Sequence, residues 1–160
     1  MDQVWQEFAA EAVDFPMLVR VIIKIAVACL CGSIIGLNRE HAGESAGWRT
    51  HILVTIASAA FVMSMKESGA ATAELTRVVQ GIATGVGFLG AGVILRLPDS
   101  IRVKGLTTAA SIWLSAAVGC AVGAGRIWLP LVATIFGWVT LALLRRWEHH
   151  IFGPPADLEA

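Results

Sequence analysis

Five apolar stretches, each close to the length that crosses a bilayer and nearly free of charge, fix what this chain can become. Crossing about 30 Å of hydrocarbon takes roughly 20 helical residues, because lipid offers no partner to an unpaired backbone amide or carbonyl. The stretches run from Met17 to Leu37, Thr50 to Met65, Val78 to Leu97, Gly105 to Ala124 and Ile127 to Leu144. The second is short, so it predicts tilt or local thinning of the bilayer. Between them lie the breakers Gly43 and Gly47, Ser68 and Gly69, Pro98, and Gly123 with Gly125. Of 160 residues, 56% are apolar and 15% charged, whereas soluble domains carry about a quarter charged residues. The fold class that follows is an all-α, polytopic transmembrane helix bundle of about five spans.

Lysine and arginine placement sets the expected orientation. Arg39, Arg49, Arg96, Arg102, Lys104, Arg145 and Arg146 fall on one side, and Lys66, Arg77 and Arg126 on the other. The richer side is expected to be cytoplasmic, with the N-terminus out and the C-terminus in. Residues 1–17 contain Asp2, Glu7, Glu11 and Asp14 and no Lys or Arg, so they lack the positive start of a signal peptide and the first span is expected to be retained. Val4, Trp5, Phe8, Ala12 and Phe15 recur at helical spacing, which reads residues 1–16 as an amphipathic segment in the outer headgroup region. Residues 17–146 form the membrane domain. Residues 147–160, with Pro154 and Pro155, form a short cytoplasmic tail.

Several function classes are excluded or weakened. Formal net charge is zero, which offers no basic surface to nucleic acid. Cys29, Cys31 and Cys120 are odd in number and lie in apolar stretches, so they read as small buried thiols rather than a disulfide or zinc site. No nucleophile–base pair or metal cluster stands out, and no catalytic residue, metal ligand or cofactor is assigned. Glu40, Glu44 and Asp99 are the carboxylates of the two inner loops, and basic residues surround them. Paired charges fixing the loops fit better than a magnesium site. His149 and His150 read as part of a solvated tail. No span has a carboxylate near its centre, which weakens a proton relay.

What remains is small residues and hydroxyls. Gly85, Gly87 and Gly90 match GxGxxG, but that motif needs a strand before it and a soluble helix after it; here it lies in the third span. Gly32 with Gly36, Gly81 with Gly85, and Gly119 with Gly123 are GxxxG pairs that let backbones approach closely in lipid. They predict a compact bundle in which helices one, three and four touch. The competing reading is a glycine-rich third span that lines a solute path. Thr107, Ser111, Ser115 and Gly119 step by four along the fourth span, as packed hydroxyls bonded to their own helix or as a polar stripe on a cavity. Arg20 and Lys24 are expected to snorkel outward, and Arg77 and Gln80 to order backbone or lipid phosphate. Trp48, Trp128 and Trp147 fall at expected interfaces; Trp113 and Trp138 are expected between helices.

Four blocks carry a family resemblance: Gly36-Leu-Asn-Arg-Glu40, Ala46-Gly-Trp-Arg-Thr50, the run from Gln80 to Ile94, and the run from Val103 to Gly119. In order and spacing they resemble the MgtC/SapB family of bacterial membrane proteins over about residues 18–146. The family pattern has an acidic residue where Asn38 stands and an arginine where Lys104 stands. The short chain is expected to lack the ACT-like domain that many members carry. The resemblance implies a multi-pass protein of the inner membrane, tied to growth under magnesium limitation and, in pathogens, to survival inside macrophages. It also implies restraint of a membrane complex, the F-type ATP synthase, rather than carriage of magnesium. Lipids and a second copy of the chain are further expected partners. The blocks mark as functional candidates Asn38, Arg39, Glu40, Arg49, Gln80, Gly85, Gly87, Gly90, Gly92, Lys104, Thr107, Thr108, Ser111 and Ser115. A magnesium, cation or small-solute transporter is the second reading, with the hydroxyl stripe and the third span lining the path.

Overall fold

A computed structural model describes residues 15–96 and 103–144. The N-terminal amphipathic stretch, the Pro98–Asp99–Arg102 loop, Trp147 and the tail with its histidines lie outside the described residues.

Among the described residues five helices form the bundle: α1 (Phe15–His41), α2 (Trp48–Glu67), α3 (Thr72–Val93), α4 (Leu106–Gly123) and α5 (Trp128–Val139), the last running into a π-helical turn at Thr140–Leu144. Among the described residues α1, α2 and α4 are each long and apolar enough to cross a membrane, and α5 with its turn is a shorter apolar helix. α3 has the length, but Glu74, Arg77, Gln80 and five glycines dilute its apolar content. Each of the five expected segments is a helix. α1 runs one turn further than expected, to His41, and so carries Arg39 into the bundle. α3 stops at Val93, not Leu97, because the chain turns into a two-stranded antiparallel pair, β1 (Leu95–Arg96) with β2 (Val103–Lys104). That pair returns the chain tightly onto the end of α3. At Gly105 the backbone is left-handed, with φ +94°, and any Cβ would overlap the Val93 carbonyl, so only glycine fits.

α2 is the hub of the bundle, in broad contact with α1 on one side and α4 on the other. The reason is local. A Cβ at Gly32 would sit 2.8 Å from Thr55 Oγ1, and one at Gly36 2.7 Å from the Trp48 Cα. A Cβ at Gly123 would sit 2.6 Å from the Ala59 carbonyl oxygen, and Gly119 is pressed still closer onto the Thr55 carbonyl. Two GxxxG pairs therefore grip the one membrane-length helix that carries no glycine and offers Thr55, Ser58 and Ala59 instead. This corrects the expectation that helices one, three and four form the mutual contact. α4 does touch α1 and α3, but α1 and α3 share no substantial interface.

α3 departs from expectation more sharply. It leans on α4 through Val86 and Gly90, and a Cβ at Gly90 would meet Ala109 Cβ at 3.4 Å. Gly81, Gly85, Gly87 and Gly92 have nothing within 4 Å among the described residues. The expected packing at Gly81 and Gly85 is absent among those residues. Trp113 and Trp138, expected between helices, are 55% and 45% exposed. The inward arc of α4 holds the small residues Ser111, Ser115 and Gly119, which leave no room for an indole. Trp48 and Trp128 are exposed, as interface residues should be. All three cysteines are free, with Cys31 buried and Cys29 and Cys120 half-buried. At the end where α2 and α4 finish, Lys66 Nζ donates to the Ala124 carbonyl at 2.8 Å and so satisfies the closing turn of α4.

Candidate functional site

The polar side chains of the interior gather where α1 ends and where α2 and α4 begin. The buried face of α1 runs through Ala28, Cys31, Gly32, Ile35 and Gly36 to Arg39, which is 2% exposed. Helical periodicity alone thus carries a guanidinium into the core. The chain then turns at Gly43 (φ +70°), and Glu44 folds back onto the helix it has just left, its amide bonded to the Arg39 carbonyl.

Glu44 is the anion that Arg39 meets. Arg39 Nη2 lies 2.7 Å from Glu44 Oε1, and the Thr108 hydroxyl donates to Glu44 Oε2 at 2.7 Å. A longer contact, 3.5 Å, runs from Arg39 Nη2 to Thr108 Oγ1. Thr108 sits in the first turn of α4, so the carboxylate also lies beside the positive end of that helix. The end of α1 and the loop that follows it are tied to the start of α4, more than 60 residues on, by one buried cation and one carboxylate. Glu44 keeps 34% of its side-chain exposure, so the pair is buried on the arginine side and open on the glutamate side. Arg39 Nε has no partner among the described residues.

Glu40, in the last turn of α1, does separate work. Its Oε2 accepts the Trp48 amide at 2.9 Å and so caps α2, whose N-cap residue, Gly47, has no side chain to offer. A Cβ at Gly47 would displace that carboxylate from the Trp48 amide, so glycine there leaves room for the cap.

One turn into α2, His51 is fully buried. Its Nδ1 lies 2.8 Å from the Gly47 carbonyl, which can only accept, so Nδ1 carries the proton. Nε2 lies 3.0 Å from Ser111 Oγ. The serine hydroxyl has a second acceptor, the Thr108 carbonyl at 2.7 Å, so its one proton serves either neighbour. A hydroxyl, an imidazole and a group orienting that imidazole are the parts of a nucleophilic centre. Here Ser111 is 2% exposed and His51 not at all, and the trio forms a hydrogen-bond link between α2 and α4. Thr55 extends the column by donating to the His51 carbonyl at 2.7 Å. Ser58 and Ser115 are buried further along, and the Ser115 and Thr134 hydroxyls have no partner among the described residues.

Of the residues marked in the sequence, the structure brings Arg39, Glu40, Thr108 and Ser111 together. Ser115 lies deeper on the same column. Asn38 is half-buried beside Arg39 without entering the cluster, and Arg49 is exposed. Gln80, Gly85, Gly87 and Gly92 are exposed on α3, away from the cluster, and Gly90 packs on α4. Lys104 is exposed and belongs to the strand pair. Thr107 is exposed, so the stripe expected through Thr107 runs through Thr108 instead. The buried arc of α4 is centred on Ile112, Ser115 and Gly119, and Thr107 falls off its edge. Glu44, expected only as a loop carboxylate paired with a cation, finds that cation in Arg39; Gly47 and His51 complete the cluster and were missed. Only proximity across a sequence gap of 60 residues pairs His51 with Ser111.

Between α2 and α3 a groove of about 550 Å³ opens outward. Leu53, Ala57 and Phe61 line one wall and Gly81, Gly85 and Leu89 the other; Ser58 supplies its one polar side chain. Among the described residues no group of His, Cys, Asp and Glu is arranged to hold a metal ion.

This is a membrane protein built as a helical bundle, with an ionic cluster closing one end and an apolar groove on its flank. The sequence profile of the MgtC family matches residues 25–150, and the chain belongs to that family. It is 47% identical to Protein SrpB of Synechococcus elongatus over 134 residues, covering 77% of this chain and 74% of the relative. It is 45% identical to Protein MgtC of Brucella abortus over 122 residues, covering 76% of this chain and 50% of that one. To Protein MgtC of Salmonella paratyphi A the identity is 37% over 139 residues, covering 87% and 58%. The chain thus spans about half the length of the MgtC proteins it matches. No solved structure matches it.

Proposed function

We propose that the chain is a non-enzymatic modulator in the bacterial inner membrane that acts through lateral helix contacts with a larger membrane complex. Its five helices cross the bilayer with the N-terminus outside, and the Arg39–Glu44 end faces the cytoplasm. The observation that carries this reading is where the polarity went. Thr108, Ser111 and Ser115 are each at most 2% exposed and face other helices, not a channel, while the open groove is apolar along its walls. A bundle that turns these hydroxyls inward and the glycines of α3 outward is suited to gripping other helices. By family resemblance the setting is adaptation to magnesium limitation, and the complex is the F-type ATP synthase.

The test has two arms. Purified protein in liposomes should pass no magnesium, and epitope-tagged protein solubilised from magnesium-starved cells should retain ATP synthase subunits. A saturable magnesium flux would overturn the proposal in favour of a transporter, the reading to which the unpartnered Ser115 and Thr134 hydroxyls lend support. Absence of every synthase subunit would remove that partner.

A further inference from the structure

The exposed face of α3 has an order that one chain leaves unused. Glu74, Arg77, Gly81, Gly85, Phe88 and Gly92 recur at steps of three and four residues, so they form one stripe along the helix. All six are exposed. The stripe borders the α2–α3 groove, whose wall includes Gly81 and Gly85, and lies on the side of α3 away from Gly90, which packs on α4. Gly81, Gly85 and Gly92 meet nothing within 4 Å, and Phe88, at 81%, is the most exposed large apolar side chain among the described residues. At one end Arg77 has no partner among the described residues. Glu74 spends one oxygen, Oε2, on the Ala71 amide and leaves the other open.

We propose that this stripe is a self-association face, on which two copies of the chain meet α3 to α3 about a twofold axis along the membrane normal. The inference stands apart from the modulator reading, since it needs no other protein. Three features commit the face to a second copy. First, bare glycine is of no use to an acyl chain, which moulds itself to any apolar surface; it matters to a rigid backbone that must come close, which is a helix. Second, the knob and the hollow lie on the same stripe. Helical side chains lean toward their own N-terminus, so Phe88 covers the level of Gly85, and across a parallel pair that level on the facing helix is bare. Third, the charges are self-complementary. Copies inserted in the same direction bring Glu74 of each opposite Arg77 of the other, the reciprocal pattern that a twofold contact requires.

The test uses the full chain in liposomes, with Cys29, Cys31 and Cys120 replaced by alanine. A cysteine at position 88 (Phe88→Cys) should give a disulfide-linked dimer on oxidation, and one at the equally lipid-facing position 136 (Phe136→Cys) should not. Gly85→Leu should weaken dimerisation, read by energy transfer between labelled copies at increasing lipid dilution, by roughly tenfold or more. Its helix content and unfolding midpoint should stay at the parent value, because Gly85 touches nothing inside one copy. Arg77→Glu and Glu74→Arg copies should each dimerise several-fold less than the parent, and a mixture of the two should pair preferentially with each other. A chain that stays monomeric at every dilution, equal crosslinking at positions 88 and 136, or a Gly85→Leu dimer as tight as the parent would each overturn the proposal. So would crosslinks from position 88 that form only to a different protein in native membranes.

Discussion

α4 and α3 are neighbours, both are rich in glycine, and they use it in opposite ways. On α4, Gly119 and Gly123 are pressed onto the carbonyls and small side chains of α2. On α3, four of five glycines face open space. Each glycine in a helix interior costs about 1 kcal/mol relative to alanine. On α4 the close approach of α2 offsets that cost within the chain. On α3 nothing among the described residues does so. A GxxxG pair therefore states that a helix can be approached closely, and the partner has to be found separately. For two of the three pairs it is α2, and for the third no partner stands among the described residues.

Substitution can break or sharpen this contrast. On α1 the largest effect is expected at Gly36, where a Cβ would sit 2.7 Å from the Trp48 Cα. Overpacking of a tight core costs about 1–3 kcal/mol and more where backbone blocks relief, so Gly36→Leu should lose the folded bundle, read as lost cooperative unfolding in detergent. Next comes Arg39→Gln, which leaves Glu44 without its cation. Stranding one member of a buried pair costs about 3–5 kcal/mol, and the partial exposure of Glu44 lowers the expectation here to roughly 2 kcal/mol. The double variant Arg39→Gln/Glu44→Gln should recover part of that loss in the same unfolding assay. Ser111→Ala is smaller. It removes the partner of His51 Nε2 and should cost about 1–2 kcal/mol, with hydrogen exchange rising first at the start of α2. The smallest change has the opposite sign. Gly81→Ala should stabilise the isolated chain by about 0.5–1 kcal/mol, because a Cβ there meets nothing within 4 Å.

The bundle was legible in the sequence because it depends on segment length and polarity, which are local. All five segments proved helical, and two GxxxG pairs proved to be contacts. The partner of those contacts was not legible. α2 has no glycine to advertise its role, and its Thr55, Ser58 and Ala59 look like ordinary span residues until two helices press on them. The ionic cluster was legible in half. Arg39 and Thr108 lay in the family-like blocks, but the Glu44 pairing needs the turn at Gly43. Thr107 and Thr108 are adjacent, and only the packed arc of α4 decides which faces inward. His51 escaped notice because its partners, Gly47 and Ser111, are a backbone carbonyl one turn back and a hydroxyl on another helix.

The most direct test of the split between the two glycine faces sets Gly119→Leu beside Gly85→Leu and measures unfolding of both in the same detergent. The account predicts that Gly119→Leu fails to fold or unfolds far below the parent, while Gly85→Leu unfolds at or slightly above it. Equal losses in the two variants, or a greater loss at Gly85, would contradict it.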